Sequence, residues 1–149
     1  MAEAATVISS TDMEFSTFYV GGALCGINIL HIQEINKHFD MTKVPQSSDY
    51  IQGILNLRGR IVTIMDLGKK LGLEPIHKNR DNRNIIVTSE GEHIGLLVDS
   101  ISDVAIAKKE DIEPAPSNLN GLKGKYFQGV LKTEKQLIGI LDIDEVLKA

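Results

Sequence analysis

The side chains best equipped for recognition chemistry stand in one short polar break, Asn56-Leu57-Arg58-Gly59-Arg60, where two guanidinium groups flank a glycine between apolar runs. A guanidinium offers a planar fork of donors to carboxylates or backbone carbonyls, and a glycine takes positive φ without steric cost. Arg58 follows the apolar Leu57 and precedes Gly59, so its fork can be aimed along a groove. Arg60 is accounted for by the solubility of an exposed hairpin tip. Glu34, between Gln33 and Ile35, is the acidic candidate on the same half, with an ordinary strand-surface carboxylate as the competing account.

Reaction chemistry finds no comparable support. His31, His38, His77 and His93 are scattered, without HxxxH, HExxH or Cys/His spacing, so no zinc site is expected. Gly124-Lys125 stands alone, without the spacing that cradles phosphates, and there is no GxGxxG. Cys25, the one cysteine, cannot form an internal disulfide; with no His or basic neighbour to activate it, it reads as an inert buried thiol in a reducing cytoplasm. No nucleophile and base are paired, so neither catalytic residues nor cofactors are expected.

The elements that must position Arg58 come from a duplication. Residues Ile51 to Leu71 are written again, without a gap, from Phe127 to Leu147. Gln52/Gln128, Gly53/Gly129, Leu55/Leu131, Ile64/Ile140, Asp66/Asp142 and Leu71/Leu147 are identical, and Ile51/Phe127, Ile54/Val130, Ile61/Leu137, Val62/Ile138, Met65/Leu141 and Leu67/Ile143 stay apolar. The copies differ at the turn, which is Lys132-Thr133-Glu134-Lys135-Gln136 in the second. Shared positions are expected to be scaffold, and the asymmetric turn a contact site. Asp66 and Asp142, present in both copies, read as caps of short helices rather than general bases.

A weaker pair, Phe15 to Ile29 and Asn84 to Val98, matches at Gly22/Gly91 and Gly26/Gly95, with Ile32/Ile101 just beyond. Both read as strand, glycine turn, strand. A turn at Asn28 to His31 followed by a strand from Ile32 to Asn36 is preferred over a short helix with an inward stripe of Ile29, Leu30, Ile32 and Ile35. Each copy then supplies about five short strands, which close most readily as a small barrel. A core of that size is worth only about 3 to 5 kcal/mol net, so two such bodies should pack together. The expected architecture is all-β with minor α: two packed five-stranded bodies, a shared apolar seam, and a bordering groove where Gly53, Gly59 and Gly95 admit another backbone.

The 149 residues suffice for this, with 42% hydrophobic content. Residues 1–13 are expected to form a loose tail, 14–76 mainly the first body and 84–149 mainly the second, with exchange of strands left open. Glu74 to Arg83 reads as a polar boundary and Lys108 to Lys125 as a long surface loop. The net charge of −4 and few aromatics argue against nucleic acid, and no apolar run approaches the roughly 18 residues that span a bilayer.

The run NLRGRIVTIMDL at Asn56 to Leu67 resembles the signature of CheW-type chemotaxis coupling proteins. CGINILHIQEI, IGLLVDSISDV, IEPAP and YFQGV follow the same family's order, so the resemblance covers nearly all the chain from Met13 onward. It implies SH3-like barrels, no enzymatic activity, and an adaptor between methyl-accepting chemoreceptors and the histidine kinase CheA, cytoplasmic and held at the inner membrane face through receptor arrays, with ring assemblies. By the same resemblance, Arg58, Gly53, Gly59, Gly95, Ile101 and Val104 would border a groove for the receptor's cytoplasmic tip. Ile29, Ile32, Glu34 and Ile35 would meet the kinase's regulatory domain. Thr63 and Gly68 depart from the family, which commonly has proline and arginine there; Gly68 is expected to weaken its helix. The alternatives are a coupling protein of a pilus or gliding system, a stand-alone kinase regulatory module, and a small-barrel nucleic-acid binder.

Overall fold

The computed structural model of the chain describes residues 12–119 and 121–148. In chain order the main elements are β1 (Asp12–Val20), β2 (Ala23–Asn28), β3 (Ile32–Asn36), β4 (Ile51–Leu57), β5 (Arg60–Asp66) and α1 (Leu67–Lys70). The second half supplies β6 (Arg83–Ser89), β7 (Glu92–Val98), β8 (Ser100–Lys108), β9 (Ile112–Glu113), β10 (Asn118–Leu119), β11 (Leu122–Lys123), β12 (Phe127–Lys132), β13 (Leu137–Leu141) and α2 (Ile143–Leu147). The expected tail otherwise lies outside the described residues, but Asp12 and Met13 belong to β1, paired with Lys108 and Ala107.

Among the described residues, three hairpins close through two-residue turns in which both residues have positive φ: Gly21-Gly22, Arg58-Gly59 and Glu90-Gly91. This turn matches the right-handed twist of the flanking strands and calls for glycine at its second position. A 3-10 turn at Ile29–His31, capped by the Asn28 carboxamide, precedes β3, as expected from the preferred reading. Asp66 and Asp142 each accept a hydrogen bond from the backbone N–H three residues on and so start α1 and α2.

The strands form a six-stranded sheet in the order β8-β1-β2-β13-β12-β9 and a five-stranded sheet in the order β3-β6-β7-β5-β4, with β10 and β11 a separate ribbon. Under the repeat, β8-β1-β2-β13-β12 and β3-β6-β7-β5-β4 are the same arrangement. The sheets cross the sequence halves, however. The hairpin β1-β2 joins C-terminal strands, and β6-β7 joins β3, β4 and β5, so residues 14–28 and 84–98 change places relative to the expected division. The joins are parallel, β2 to β13 and β5 to β7. Short connectors enforce the exchange: three residues link β2 to β3, and Asp99 alone links β7 to β8.

One core cluster runs through both bodies, from Phe18, Cys25 and Ile27 to Ile64, Leu96, Ile143 and Val146. A smaller cluster around Phe15, Leu24, Leu131, Ile138 and Ile140 fills the six-stranded sheet alone. The segment expected to be an open surface loop, Lys108 to Lys125, instead carries β9, β10 and β11 and buries Leu119 and Leu122. The polar boundary after Glu74 likewise sends Ile76 into the core.

Candidate functional site

At the tip of the β4-β5 hairpin, Asn56 Oδ1 accepts from the Gly59 N–H at 2.9 Å and fixes the turn. Arg58, in the left-handed region at φ 53°, extends from that tip and donates to the Glu34 carboxylate on β3. β3 and β4 are the two outer strands of the five-stranded sheet, so this pair spans the sheet's opposite edges. Glu34 also accepts from Asn36 Nδ2 at 3.0 Å, and Asn36 Oδ1 accepts from Nδ2 of the fully buried Asn84 at 3.2 Å. An exposed side chain is thereby tied by a polar chain to the interior.

The Arg58 hydrogen bond, followed by that of Asn36, holds the Glu34 carboxyl below the usual carboxylate range. The guanidinium remains 78% exposed, and exposed pairs contribute little to stability. The arrangement therefore presents charge at the surface rather than holding the fold together. A groove of about 150 Å³ beside it is floored by Leu57, Val62 and Ile86. Arg60 does more than solvate the tip: it contacts Nε2 of His93, whose Nδ1 lies 3.3 Å from the Thr88 hydroxyl.

Of the residues expected to meet the kinase, Ile29 and Ile35 are exposed, and Ile32 is partly buried against the core. Leu30, 87% exposed on the 3-10 turn, is the most prominent apolar side chain of this face. The preferred sequence reading places Leu30 in the turn at Asn28 to His31 but carries no signal of how far its side chain projects. Ile101 and Val104 lie on β8, the repeat counterpart of β3, with Val104 exposed.

Gly53 and Gly95 do not admit a partner's backbone, because the chain itself occupies the space. A Cβ at Gly53 would lie 2.8 Å from the Thr42 carbonyl oxygen, whose strand segment bridges Ile54. A Cβ at Gly95 would lie 2.3 Å from Ile64 Cδ1 across the parallel join. Gly59 alone of the three is exposed, with nothing near a Cβ.

The same end of the other body is built differently. Asp103 stands where the repeat places Glu34, and Glu134 where it places Arg58, so two acids replace an ion pair. The cleft there is open, with a volume of about 720 Å³ between β8 and the β12-β13 hairpin. Cys25 is fully buried and burial pushes its thiol up to about 12, an unreactive position.

The model of the CheW-like domain matches residues 14–149. A chemotaxis protein CheW of Klebsiella aerogenes is 34% identical over 137 residues, covering 91% of this chain and 82% of that protein. One of Helicobacter pylori is 32% identical over 136 residues, covering 91% and 82%. The crystal structure of the scaffolding protein TtCheW from Thermoanaerobacter tengcongensis superposes with a TM-score of 0.86 at 30% identity, over 95% of this chain and 91% of that one. The chain thus belongs to the CheW-like family of chemotaxis adaptors, scaffolds of SH3-like β fold that catalyse no reaction.

Proposed function

We propose that the protein couples methyl-accepting chemoreceptors to the histidine kinase CheA, binding each through a separate face of one stiff body. The observation that carries this reading is the Glu34–Arg58 pair, whose guanidinium is exposed at one end of the five-stranded sheet, together with the exposed apolar side chains of Ile29 and Leu30 on the 3-10 turn and of Ile35 on β3. Apolar anchors beside a directional charged pair have the make-up of a binding hot spot. On this reading the β3 face, Ile29, Ile32, Glu34 and Ile35, meets the kinase's regulatory domain. Arg58 and Gly59 at the hairpin tip, with Ile101 and Val104 on β8, border the surface taken by the receptor tip. Gly53 and Gly95 support that surface from inside. The site would operate in the cytoplasm, held at the inner membrane face by receptor arrays.

Signal passes only if the two faces are energetically coupled. Micromolar pair affinities, about −8 kcal/mol each, suffice where an array supplies many simultaneous contacts. The test is co-sedimentation of the protein with receptor fragments and CheA, scored by phosphotransfer. Wild type raises receptor-controlled kinase activity, and Arg58→Glu abolishes the increase while remaining folded. Normal assembly and activation by the variant would overturn the role given to Arg58.

A further inference from the structure

At the end of the five-stranded sheet opposite Arg58, the loop after β3 and the loop before β6 enclose a cavity of about 260 Å³. Its apolar wall is Phe39, Met41, Ile76 and Leu97. Ile76 and Leu97 are buried, whereas Phe39 is 41% exposed at the mouth. This volume holds one leucine- or phenylalanine-sized side chain, and the open mouth lets that side chain stay joined to a chain outside.

Two further observations give the cavity a chemistry. Lys43 and Lys78 line it from exposed positions, no lining residue is acidic, and neither ammonium has a hydrogen bond or ion pair among the described residues. Gln52 also lines it, and its amide has no hydrogen bond among the described residues. Its repeat counterpart, Gln128, instead donates to the Leu141 carbonyl at 3.2 Å. The wall opposite is fixed in advance: Asn82 Oδ1 accepts from the Asn79 N–H at 3.1 Å and Asn82 Nδ2 donates to the Asp99 carbonyl at 3.1 Å.

We propose that this cavity binds an acidic, apolar peptide segment of a protein partner, one large apolar side chain in the pit and a neighbouring carboxylate on Lys43 and Lys78. The lysines lie at the surface while the apolar wall lies below, so charge is met beside the inserted group and not beneath it. A peptide with an acid next to an aromatic or leucine has that order of groups.

The test is a titration of the isotope-labelled full chain with acetylated, amidated Glu-Leu-Phe-Glu, read by NMR shifts at Phe39, Ile76 and Leu97. Those resonances should move, and the Gln-Leu-Phe-Gln peptide should bind about three- to tenfold more weakly, as expected for exposed charge pairs. Lys43→Gln with Lys78→Gln should erase that difference without unfolding the protein. Arg58→Glu should leave the titration unchanged, which separates this site from the proposed coupling surface. No shifts at millimolar peptide, equal binding of the two peptides, or tighter binding of free 4-phenylbutyrate than of the peptide would each overturn the proposal.

Discussion

Arg58 and Glu34 join the tip of one hairpin to a strand at the far edge of the same sheet, 24 positions earlier in the chain. The family resemblance implies a receptor groove for Arg58 and a kinase face for Glu34. On the proposed function their hydrogen bond would link the two faces, so a partner that engages either residue would disturb the other. If pairing itself is what matters, exchanging the charges in Arg58→Glu with Glu34→Arg should recover kinase coupling that each single change loses. Phosphotransfer in reconstituted receptor complexes measures this, and failure of the double variant would mean that a partner reads Arg58 directly.

The pair also predicts a pH dependence. The folded state holds the Glu34 carboxyl low, through Arg58 first and Asn36 second. A depressed carboxylate pKa favours the fold above its unfolded value, and that contribution disappears as pH falls through the folded one. The pair should therefore be intact at neutral pH and open only under acid below the usual carboxylate range. NMR titration of the Glu34 side chain should show its pKa rising toward the ordinary value in Arg58→Ala, with the melting temperature within about 2 °C of wild type.

The two glycines at the parallel joins should differ in tolerance. A Cβ at Gly95 would meet Ile64 Cδ1 at 2.3 Å, whereas one at Gly26 would meet Ile138 and Ile140 at 3.3 Å. Gly95→Ala should cost about 1–3 kcal/mol by overpacking, and Gly26→Ala less. Adding Ile64→Val to Gly95→Ala removes the colliding methyl and should recover part of the loss, as measured by urea denaturation.

Asp66 and Asp142 are identical in the two repeats yet carry unequal loads. Both cap a helix, but the buried Asp66 also accepts from the Ile76 N–H at 3.1 Å. Asp142→Ala should cost about 1 kcal/mol as a lost cap, and Asp66→Ala about 1–3 kcal/mol more for the buried N–H left unpaired. Equal midpoints for the two variants would refute the second role of Asp66.

Gly68 supplies a related check. A Cβ there would lie 2.4 Å from the Glu74 carbonyl oxygen, so the glycine is required by the crossing loop that seats Ile76. Its cost to helix α1 is secondary to that close approach. Gly68→Arg should destabilise this chain and expose Ile76 to solvent, visible as a lowered thermal midpoint.

Cys25 should resist 5,5′-dithiobis(2-nitrobenzoate) at pH 8 in the folded protein, because its thiol is held up to about 12 by burial, and react at once in guanidinium. Rapid native labelling would show that β2 and β13 part readily.

The chain's own order of residues determined what local physics controls. Alternating apolar runs gave strands, the glycine at the second turn position gave tight hairpins, and the shared carboxylates gave caps. Arg58 stood out because it broke a repeat. Which hairpin enters which sheet was decided only in three dimensions. In a duplicated unit, β1-β2 and β6-β7 offer similar faces to β5 and β13, so the apolar pattern fits the direct and the exchanged pairing alike; connectors of one and three residues select between them. The same nonlocal packing placed Gly95 against Ile64, turned Leu30 outward and joined Arg58 to Glu34, because each depends on strands brought together from distant parts of the chain.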